Sequence, residues 1–409
     1  MLYGVLQFTS KSRVQGTGVP FIEYKTNQTY TVHTKKEYHK DVWAKIDPIS
    51  TELIEIIGPT GEYSFELAAL RGVYGLYYKY PTHPVLPYNP KTYNVQAYTV
   101  DQITTLDRDD AISVTQQVKP DGIFTTIGIH ITDISRRLSD EWVSWALKIG
   151  SSAYWENGTK PIFPPTLCHD ILSLTKGKIY PCLSLFLTFF LTYENYEFIG
   201  SEFKETDVFI TDNLTYEQFS DPVLSIISGK TEATEIVEWC MIQYNLYIAS
   251  NLPDVLLRIQ DENEPAHYDY TGTHFIMGLY AHGTSPIRRF SDFYNQCIYH
   301  NRNVILKDNQ LVELNQRMVE VRTFHQKEII MSLAYEFKIP KIVQALVDVN
   351  EEGRCIYLRF DGKRVWFPLF DTYYEETISE KLKDGTTHQV ECFGILKNGK
   401  ASLRIRLIE

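Results

Sequence analysis

The sequence of 409 residues lacks the marks of several protein classes. Its six cysteines include no CxxC pair, which argues against a structural zinc site or a small disulfide framework and favours reduced thiols. Its longest apolar run, LSLFLTFFL at 183–191, is half the roughly 18 residues of a membrane span. The N-terminus lacks the basic and apolar regions of a secretory signal. We therefore expect a cytoplasmic, intracellular protein without membrane contact.

An excess of basic charge is also missing. Lys and Arg number 40 against 51 Asp and Glu, a net charge of −11. This excludes a protein that coats nucleic acid with a uniformly basic surface, but not a nuclease whose acidic groups hold metal. Apolar residues, by contrast, make up 44% of the chain, which has 28 Tyr and 21 Phe. The chain can therefore build packed cores and is not disordered as a whole.

Four regions follow one another along the chain. Residues 1–80 alternate short apolar and polar runs with turn residues between them, typical of a small antiparallel barrel. Residues 81–96 are Pro-rich and indicate an extended linker. Residues 97–338 mix strand-like and helix-like runs, and residues 339–409 return to short strands. We predict an α+β protein in which a central domain of mixed sheet and helices is flanked by OB-fold-like barrels.

Three helices and two strands are predicted within the central region. The helix-like runs are 139–155, 231–252 and 311–337, and the strand-like runs are 125–135 and 182–193. The last helix contains no Pro or Gly and ends before Pro340, because proline cannot continue a helix.

The most informative stretch is YTVDQITTLDRDDAIS at 98–113, with carboxylates at Asp101, Asp107, Asp109 and Asp110. Four bare acids this close would repel one another, by about 1 kcal/mol per pair at 4 Å in water and by more when half-buried. Hard oxygen ligands without His or Cys suit Mg²⁺ or Mn²⁺, and four carboxylates can hold two ions about 3.5–4 Å apart. The alternative is an acidic surface loop. A calcium loop is disfavoured because the EF-hand spacing is absent.

A second informative stretch is YAHGTSPIRRFSD at 280–292. Thr284, Ser285 and Pro286 are typical of a helix start, and this would place Arg288 and Arg289 at a helix N-terminus. Hydroxyls and an arginine at a helix N-terminus form a ready phosphate site. The alternative is an ordinary N-cap with two solvated arginines.

Together the two stretches resemble the RNB-type catalytic domain of the ribonuclease II / ribonuclease R family. VDQITTLDRDDAI matches its Asp cluster and TSPIRRFSD its TSPIR segment. HITDIS at 130–135, SSAYWENGTKPIFPPTLCHDILSL at 151–174 and NLTYEQ at 213–218 fit further motifs in the family's order. The resemblance spans nearly the whole chain and identifies it as a compact member, with a cold-shock-like barrel first and an OB-fold RNA-binding barrel last.

The resemblance implies a processive hydrolytic exoribonuclease that degrades single-stranded RNA from the 3′ end and releases nucleoside 5′-monophosphates. Two Mg²⁺ ions, with Mn²⁺ as the alternative, would be held by Asp101, Asp107, Asp109 and Asp110. Asp109 and Arg288 would be catalytic, with Arg288 neutralising the transition-state phosphate. The RNA itself would be bound by Tyr154, Arg289, Thr284 and Ser285. We expect a monomer.

The sequence departs from the family pattern at several points. Arg108 stands where the family has an aromatic residue or Met, and the segment between Gln260 and His274 is shorter than usual. These changes leave the four acids and Arg288 in place. Two alternative functions stay open: a degenerate RNB-type module that binds RNA without cutting it, and a metal-dependent phosphodiesterase acting on small nucleotides or DNA.

Overall fold

The chain folds into two units, each built from separate stretches of sequence. Unit 1 contains Met1–Tyr78, Ala153–Thr159 and Glu320–Glu409, and unit 2 contains Lys79–Ser152 and Lys160–Val319. The computed structural model describes residues 1–10, 18–90, 92–120, 122–191, 196–261, 265–349, 355–360, 363–368, 385–397 and 400–408.

The N-terminal part of unit 1 is a five-stranded antiparallel sheet followed by a helix. Its elements are β1 (Leu2–Leu6), β2 (Gly18–Glu23), β3 (Thr29–His33), β4 (Val42–Ile46), β5 (Leu53–Pro59) and α1 (Tyr63–Val73). The strand order is β3-β2-β1-β4-β5. Alternating residues of these strands, among them Leu6, Phe21 and Val32, form one buried core. The predicted alternation of apolar and polar residues is thereby confirmed for this region.

Nine further strands precede the C-terminal sheet. They are β6 (Val95–Asp101), β7 (Asp110–Lys119), β8 (Gly122–Thr132), β9 (Ala153–Trp155), β10 (Gly158–Lys160), β11 (Ile179–Leu191), β12 (Tyr196–Thr215), β13 (Leu257–Ile259) and β14 (His267–Asp269). Five of them close into a barrel in unit 2, with the order β11-β12-β6-β7-β8. β12 and β6 pair in parallel and the other neighbours are antiparallel. The sheet is therefore mixed, as predicted, but its closure into a barrel is a feature that the apolar patterning did not indicate.

Unit 2 also carries most of the helices. The helices of the described chain after α1 are α2 (Asp140–Ile149), α3 (Pro222–Ser228), α4 (Ala233–Asn251), α5 (Phe290–Tyr299) and α6 (Asp308–Glu336), with a π-helical segment at Thr166–Leu172 and a 3₁₀ turn at Ile134–Arg136. α4 and α6 confirm two of the predicted helices. The helix predicted over 139–155 is too long, because Gly150 adopts φ +77° and ends α2, and the chain continues as strand β9.

The C-terminal sheet repeats the strand order of the N-terminal one. It consists of β15 (Lys341–Val349), β16 (Cys355–Phe360), β17 (Lys363–Pro368), β18 (Thr387–Lys397) and β19 (Lys400–Leu407), in the order β17-β16-β15-β18-β19. The α+β class is confirmed. That the two sheets are OB folds stays a prediction, which their common strand order supports.

The Pro-rich segment predicted as a linker is held against unit 2. The Leu86 N–H donates to the Arg137 carbonyl at 2.7 Å, and the Trp142 indole N–H donates to the Pro84 carbonyl at 3.1 Å. β6 begins at Val95, inside the predicted linker of residues 81–96. Among the residues described, we find no helix that is both long enough and apolar enough to cross a membrane.

Candidate active site

The predicted carboxylates lie at one end of the unit 2 barrel. Asp101 is the last residue of β6 and Asp110 is the first residue of β7. The two strands are antiparallel neighbours, so the end of one and the start of the next lie together, joined by the loop 102–109. Strand topology therefore places Asp101, Asp107, Asp109 and Asp110 at the same rim.

The loop that carries these acids is fixed by the segment after the π-helical turn. The Ser173 hydroxyl accepts from the Arg108 N–H at 3.0 Å and donates to the Leu106 carbonyl at 2.8 Å. The Leu174 N–H donates to the Arg108 carbonyl at 3.0 Å. Three hydrogen bonds from two neighbouring residues thus hold a loop whose acids would otherwise drive one another apart.

Asp109 is the most rigidly held of the four acids. It is 4% exposed, and its Oδ1 accepts from the Ile287 N–H at 2.7 Å. Its carbonyl accepts from the Thr132 N–H at 2.8 Å. Burial raises the pKa of Asp109 well above its usual value, although the charge of Arg288 and the Ile287 hydrogen bond oppose this. The carboxylate is therefore desolvated and fixed in direction, which suits a group that must hold a cation.

Asp101 and Asp110 are perturbed for the same physical reason. Burial raises the pKa of Asp101 to about 6, and the Asp107 charge adds to this. Burial and the Asp101 charge raise the pKa of Asp110 to about 7. Asp101 Oδ2 is buried without a hydrogen-bond partner, and the nearest guanidinium nitrogen, Arg108 Nε, is 3.8 Å away. Negative charge at this rim is under-compensated by the protein's own groups.

Arg288 faces this cluster from the segment before α5. Its Nε lies 4.0 Å from Asp109 Oδ2, and its side chain is half-exposed. Its Nη2 donates to the Ser285 hydroxyl at 3.0 Å, which orients the guanidinium. The structure thus brings Arg288 and Asp109 together across 179 positions of sequence, and their catalytic roles stay a prediction.

The helix start predicted at Thr284–Pro286 is wrong. α5 begins at Phe290. Before it, the Ile287 N–H bonds Asp109 and the Ser285 N–H bonds Asp292 Oδ1 at 2.7 Å. The segment forms a turn in which the Arg289 N–H reaches the Ser285 carbonyl. The predicted phosphate site at a helix N-terminus is therefore replaced by a turn whose amides serve the two acids.

Three predicted RNA contacts from this segment point inward. Thr284 and Ser285 are 5% and 4% exposed. Arg289 donates to Asp292 Oδ1 at 2.8 Å, and Asp292 is fully buried. This geometry explains how the turn is held, and RNA binding by Thr284, Ser285 and Arg289 stays a prediction.

Tyr154 belongs to unit 1, where it lies on β9 with 38% of its surface exposed. Its backbone N–H donates to His325 Nε2 at 3.0 Å, and its ring centroid is 6.1 Å from that of His325. An exposed ring of this kind is available for stacking. Its contact with RNA stays a prediction.

The structure adds groups that analysis of the acids alone did not find. The Ile287 amide and Ser173 position the acids, and Tyr216 lies close enough for Asp110 and Asp101 to raise its pKa, after burial itself. The sequence signal for Tyr216 was the NLTYEQ segment, and Ser173 lies in the SSAYWENGTKPIFPPTLCHDILSL run. A backbone amide such as that of Ile287 leaves no signal in the identity of its residue.

The donor chemistry of the rim fits a hard divalent cation. Within the described part of the chain, no three His, Cys, Asp or Glu side chains converge closely enough to form a cage by themselves. Mg²⁺ commonly takes only one or two carboxylates and completes its shell with water and substrate phosphate. The unpartnered oxygen of Asp101 and the raised pKa values of three acids fit a site completed in this way.

Comparison with known proteins finds a family match in the central region. Residues 91–252 match the model of the RNB domain. The DIS3-like exonuclease 2 of Caenorhabditis elegans is 33% identical over 102 residues, 24% of this chain and 12% of that protein. The chain spans about a quarter or less of the curated relatives it matches.

Two solved structures share the fold over the full chain. Mycoplasma genitalium RNase R, in complex with ribose-methylated single-stranded RNA, has a TM-score of 0.63 at 13% identity, covering 100% of both chains. Yeast Ssd1, a pseudonuclease, has a TM-score of 0.71 at 12% identity, covering 100% of this chain and 83% of its own. Residues 91–252 thus match an RNB domain, and the two solved structures, at 12–13% identity, show that the chain shares their fold.

Proposed function

We propose that the protein is a metal-dependent hydrolytic exoribonuclease that degrades single-stranded RNA from the 3′ end to nucleoside 5′-monophosphates. The observation that carries the proposal is the buried Asp109 carboxylate, fixed by the Ile287 amide and faced by Arg288 at 4.0 Å. The RNB domain supports the reaction class. We also propose a monomer that acts in the cytoplasm.

Each group at the rim has a role that its surroundings support. Asp101, Asp107, Asp109 and Asp110 would hold two Mg²⁺ ions, or Mn²⁺, whose chemistry is to activate water and to stabilise the 3′-oxygen leaving group. Arg288, half-exposed beside the acids, is placed to neutralise charge on the scissile phosphate. Burial keeps Asp109 from moving when that phosphate arrives.

RNA as the partner is supported by the fold relatives. Mycoplasma genitalium RNase R has been solved with single-stranded and with double-stranded RNA. In this chain, the exposed ring of Tyr154 offers a stacking surface, and stacking accepts every base because each base has a π-face. This suits an enzyme that removes nucleotides without regard to sequence.

An RNA-binding module without nuclease activity is the second candidate. The ion pair of Arg108 with Asp101 favours it, because a guanidinium partly occupies the charge that a metal would neutralise. The absence of a preformed metal cage among the described residues points the same way, and Ssd1 is a pseudonuclease of this fold. The retained acids weigh against it, because four like charges would repel a phosphate backbone.

Incubation with a 5′-labelled single-stranded RNA and Mg²⁺ distinguishes the exoribonuclease from the RNA-binding module. The full chain should give a ladder or a short limit product and release nucleoside 5′-monophosphates. Asp109→Asn keeps the shape and the acceptor for the Ile287 N–H but removes the charge, so we expect cleavage to fall by at least about 100-fold. EDTA should have the same effect.

Two controls make this result specific. Asp212→Asn removes an acid of an exposed ion pair with Lys176 and should leave cleavage unchanged. A DNA strand of the same sequence tests whether the 2′-hydroxyl is required. If RNA binds to the protein and to Asp109→Asn equally but neither cuts it, the exoribonuclease proposal is wrong and the binding module is correct.

A further inference from the structure

A layer of polar side chains crosses the inside of the unit 2 barrel, next to the carboxylate rim along the strands, since His130 pairs with Ala111 and Asp110 with Ile131. Ser113 Oγ lies 2.8 Å from His130 Nε2, His130 Nδ1 lies 2.7 Å from Ser184 Oγ, and Ser184 Oγ lies 2.5 Å from Thr206 Oγ1. The four residues come from β7, β8, β11 and β12, and none is more than 5% exposed. They form one continuous hydrogen-bonded chain, which we call the hydroxyl–imidazole chain.

The hydroxyl–imidazole chain lies on the enclosed face of the barrel. Side chains alternate along a strand, and the neighbours Ile112, Ile129 and Leu185 pack outward in the core that contains α4. Gly128 leaves room for the chain, because a Cβ there would lie 2.4 Å from Ser113 Oγ and 2.6 Å from His130 Nε2. The local sequence thus keeps space open on the inner face.

Both ends of the chain reach a cavity. A cavity of about 820 Å³ is lined by Ser113 and Thr206, together with Gln96, Thr126 and Phe186. It lies at the first half of β6, whereas Asp101 ends that strand, so it opens toward the opposite end of the barrel. Its volume is within the range of small-molecule sites, about 300–1,000 Å³, and barrel mouths are common places for such sites.

The charge state of the hydroxyl–imidazole chain determines which hydrogen bonds it can offer to a ligand. Burial lowers the pKa of His130 to about 3, so the imidazole is neutral and has one N–H. The hydrogen bonds must therefore run in one direction through the chain, from Ser113 to Thr206 or the reverse. In either direction, a hydroxyl that can donate faces the cavity at one end of the hydroxyl–imidazole chain, and a hydroxyl oxygen that can accept faces it at the other end.

We infer that this barrel mouth, whose lining also includes the charged Lys204 and Glu205, binds a small polar molecule whose hydrogen-bond donor and acceptor are bonded to Ser113 and Thr206. That chemistry is shared by the amide edge of a nucleobase and by a primary carboxamide. The apolar part of the ligand would lie against Phe186, which also lines the cavity. The site is separate from the proposed RNA cleavage, because none of its residues belongs to the carboxylate rim.

Selective ¹⁵N-histidine labelling of the full chain tests the site, with His130→Gln used to assign the His130 signals. The probes are uridine, nicotinamide and, as a control with hydroxyls but no amide, ribose. We expect uridine, nicotinamide or both to shift the His130 signals at millimolar concentration, while ribose leaves them in place. A nucleoside that binds only at the carboxylate rim would not move His130.

Three variants decide where the ligand sits. Ser113→Ala should weaken binding by about tenfold, since one hydrogen bond contributes about 1 kcal/mol or somewhat more. Ser201→Ala, an exposed serine on β12 outside the cavity lining, should have no effect. Thr115 is exposed at the mouth of the cavity, and Thr115→Trp should block binding without disturbing the buried hydroxyl–imidazole chain. This variant tests the site if Ser113→Ala fails to fold.

The outcomes separate clearly. A response to uridine alone identifies the nucleobase edge as the ligand, and a response to nicotinamide alone identifies the carboxamide. Unmoved His130 signals with all probes, an equal shift with ribose, or a shift that survives Thr115→Trp would overturn the inference.

Discussion

The carboxylate rim and the hydroxyl–imidazole chain of the unit 2 barrel bury polar groups in opposite ways. At the carboxylate rim, acids are desolvated, Asp101 Oδ2 has no hydrogen-bond partner, and the nearest cations stand 3.8 and 4.0 Å away. Further inside the barrel, the hydroxyl–imidazole chain is neutral and its members bond one another at 2.5–2.8 Å. Buried polar groups that satisfy one another stabilise a fold, whereas buried charges without partners oppose it.

The comparison shows which end is maintained for chemistry. Four acids at one rim weaken the protein unless a cation neutralises them, so their presence indicates a function that needs the charge. The hydroxyl–imidazole chain has no such penalty, and its polar groups contribute to stability even without a ligand. Variants of the rim and of the hydroxyl–imidazole chain should therefore change stability in opposite directions.

The largest effect on stability is expected from His130→Ala. The change leaves an internal cavity and removes a partner from both Ser113 and Ser184. Large-to-small changes in a core cost about 2–5 kcal/mol, and unpaired buried groups add to this, so we expect a loss of about 3 kcal/mol or more. Urea denaturation at pH 7 measures it, with the exposed His33→Ala on β3 as the matched control. A loss of less than about 1 kcal/mol in the free energy of unfolding would mean that the hydroxyl–imidazole chain does not stabilise the barrel.

Asp110→Asn should raise the stability of the metal-free protein, whereas His130→Ala should lower it. The pKa of Asp110 is about 7 in the folded chain against an ordinary value of 3.8, so the folded state binds a proton that the unfolded state releases between about pH 4 and 7. Stability therefore falls as pH rises through that window. At pH 8 in EDTA, Asp110→Asn should raise the free energy of unfolding by about 1–3 kcal/mol, less than the full shift implies at 1.36 kcal/mol per unit.

Thermal unfolding in EDTA at pH 8 and at pH 4.5 checks this sign. The two proteins should differ at pH 8 and nearly coincide at pH 4.5. Asp212→Asn is the control, because a hydrogen bond from Lys176 lowers the pKa of Asp212 and its removal offers no gain at pH 8. A lower stability of Asp110→Asn at pH 8 would show that the rim is satisfied without metal, contrary to the comparison.

The sequence predicted the carboxylate rim far better than the hydroxyl–imidazole chain. The acids stand within ten residues of one another and Arg288 lies in a recognisable segment, so spacing and resemblance sufficed. Ser113, His130, Ser184 and Thr206 come from four strands, and nothing in the chain links them before those strands are paired. The same limit applies to the Ile287 amide, which bonds an acid 178 positions away.

The smallest effect, and the sharpest test of the rim, is expected from Ser173→Ala. Its hydroxyl joins the Arg108 N–H to the Leu106 carbonyl, so it positions the acidic loop without being an acid itself. Removing it should lower stability by about 1 kcal/mol and raise the Mn²⁺ concentration for half-saturation by about tenfold, measured by calorimetric titration. Ser228→Ala is matched, because its hydroxyl also donates to a backbone carbonyl, that of Leu224 in α3, but lies outside the loop. If both variants lose the same stability but only Ser173→Ala loses metal affinity, loop geometry sets the affinity of the rim. Equal metal affinity in the two would show that the acids arrange themselves around the ion without support from the loop.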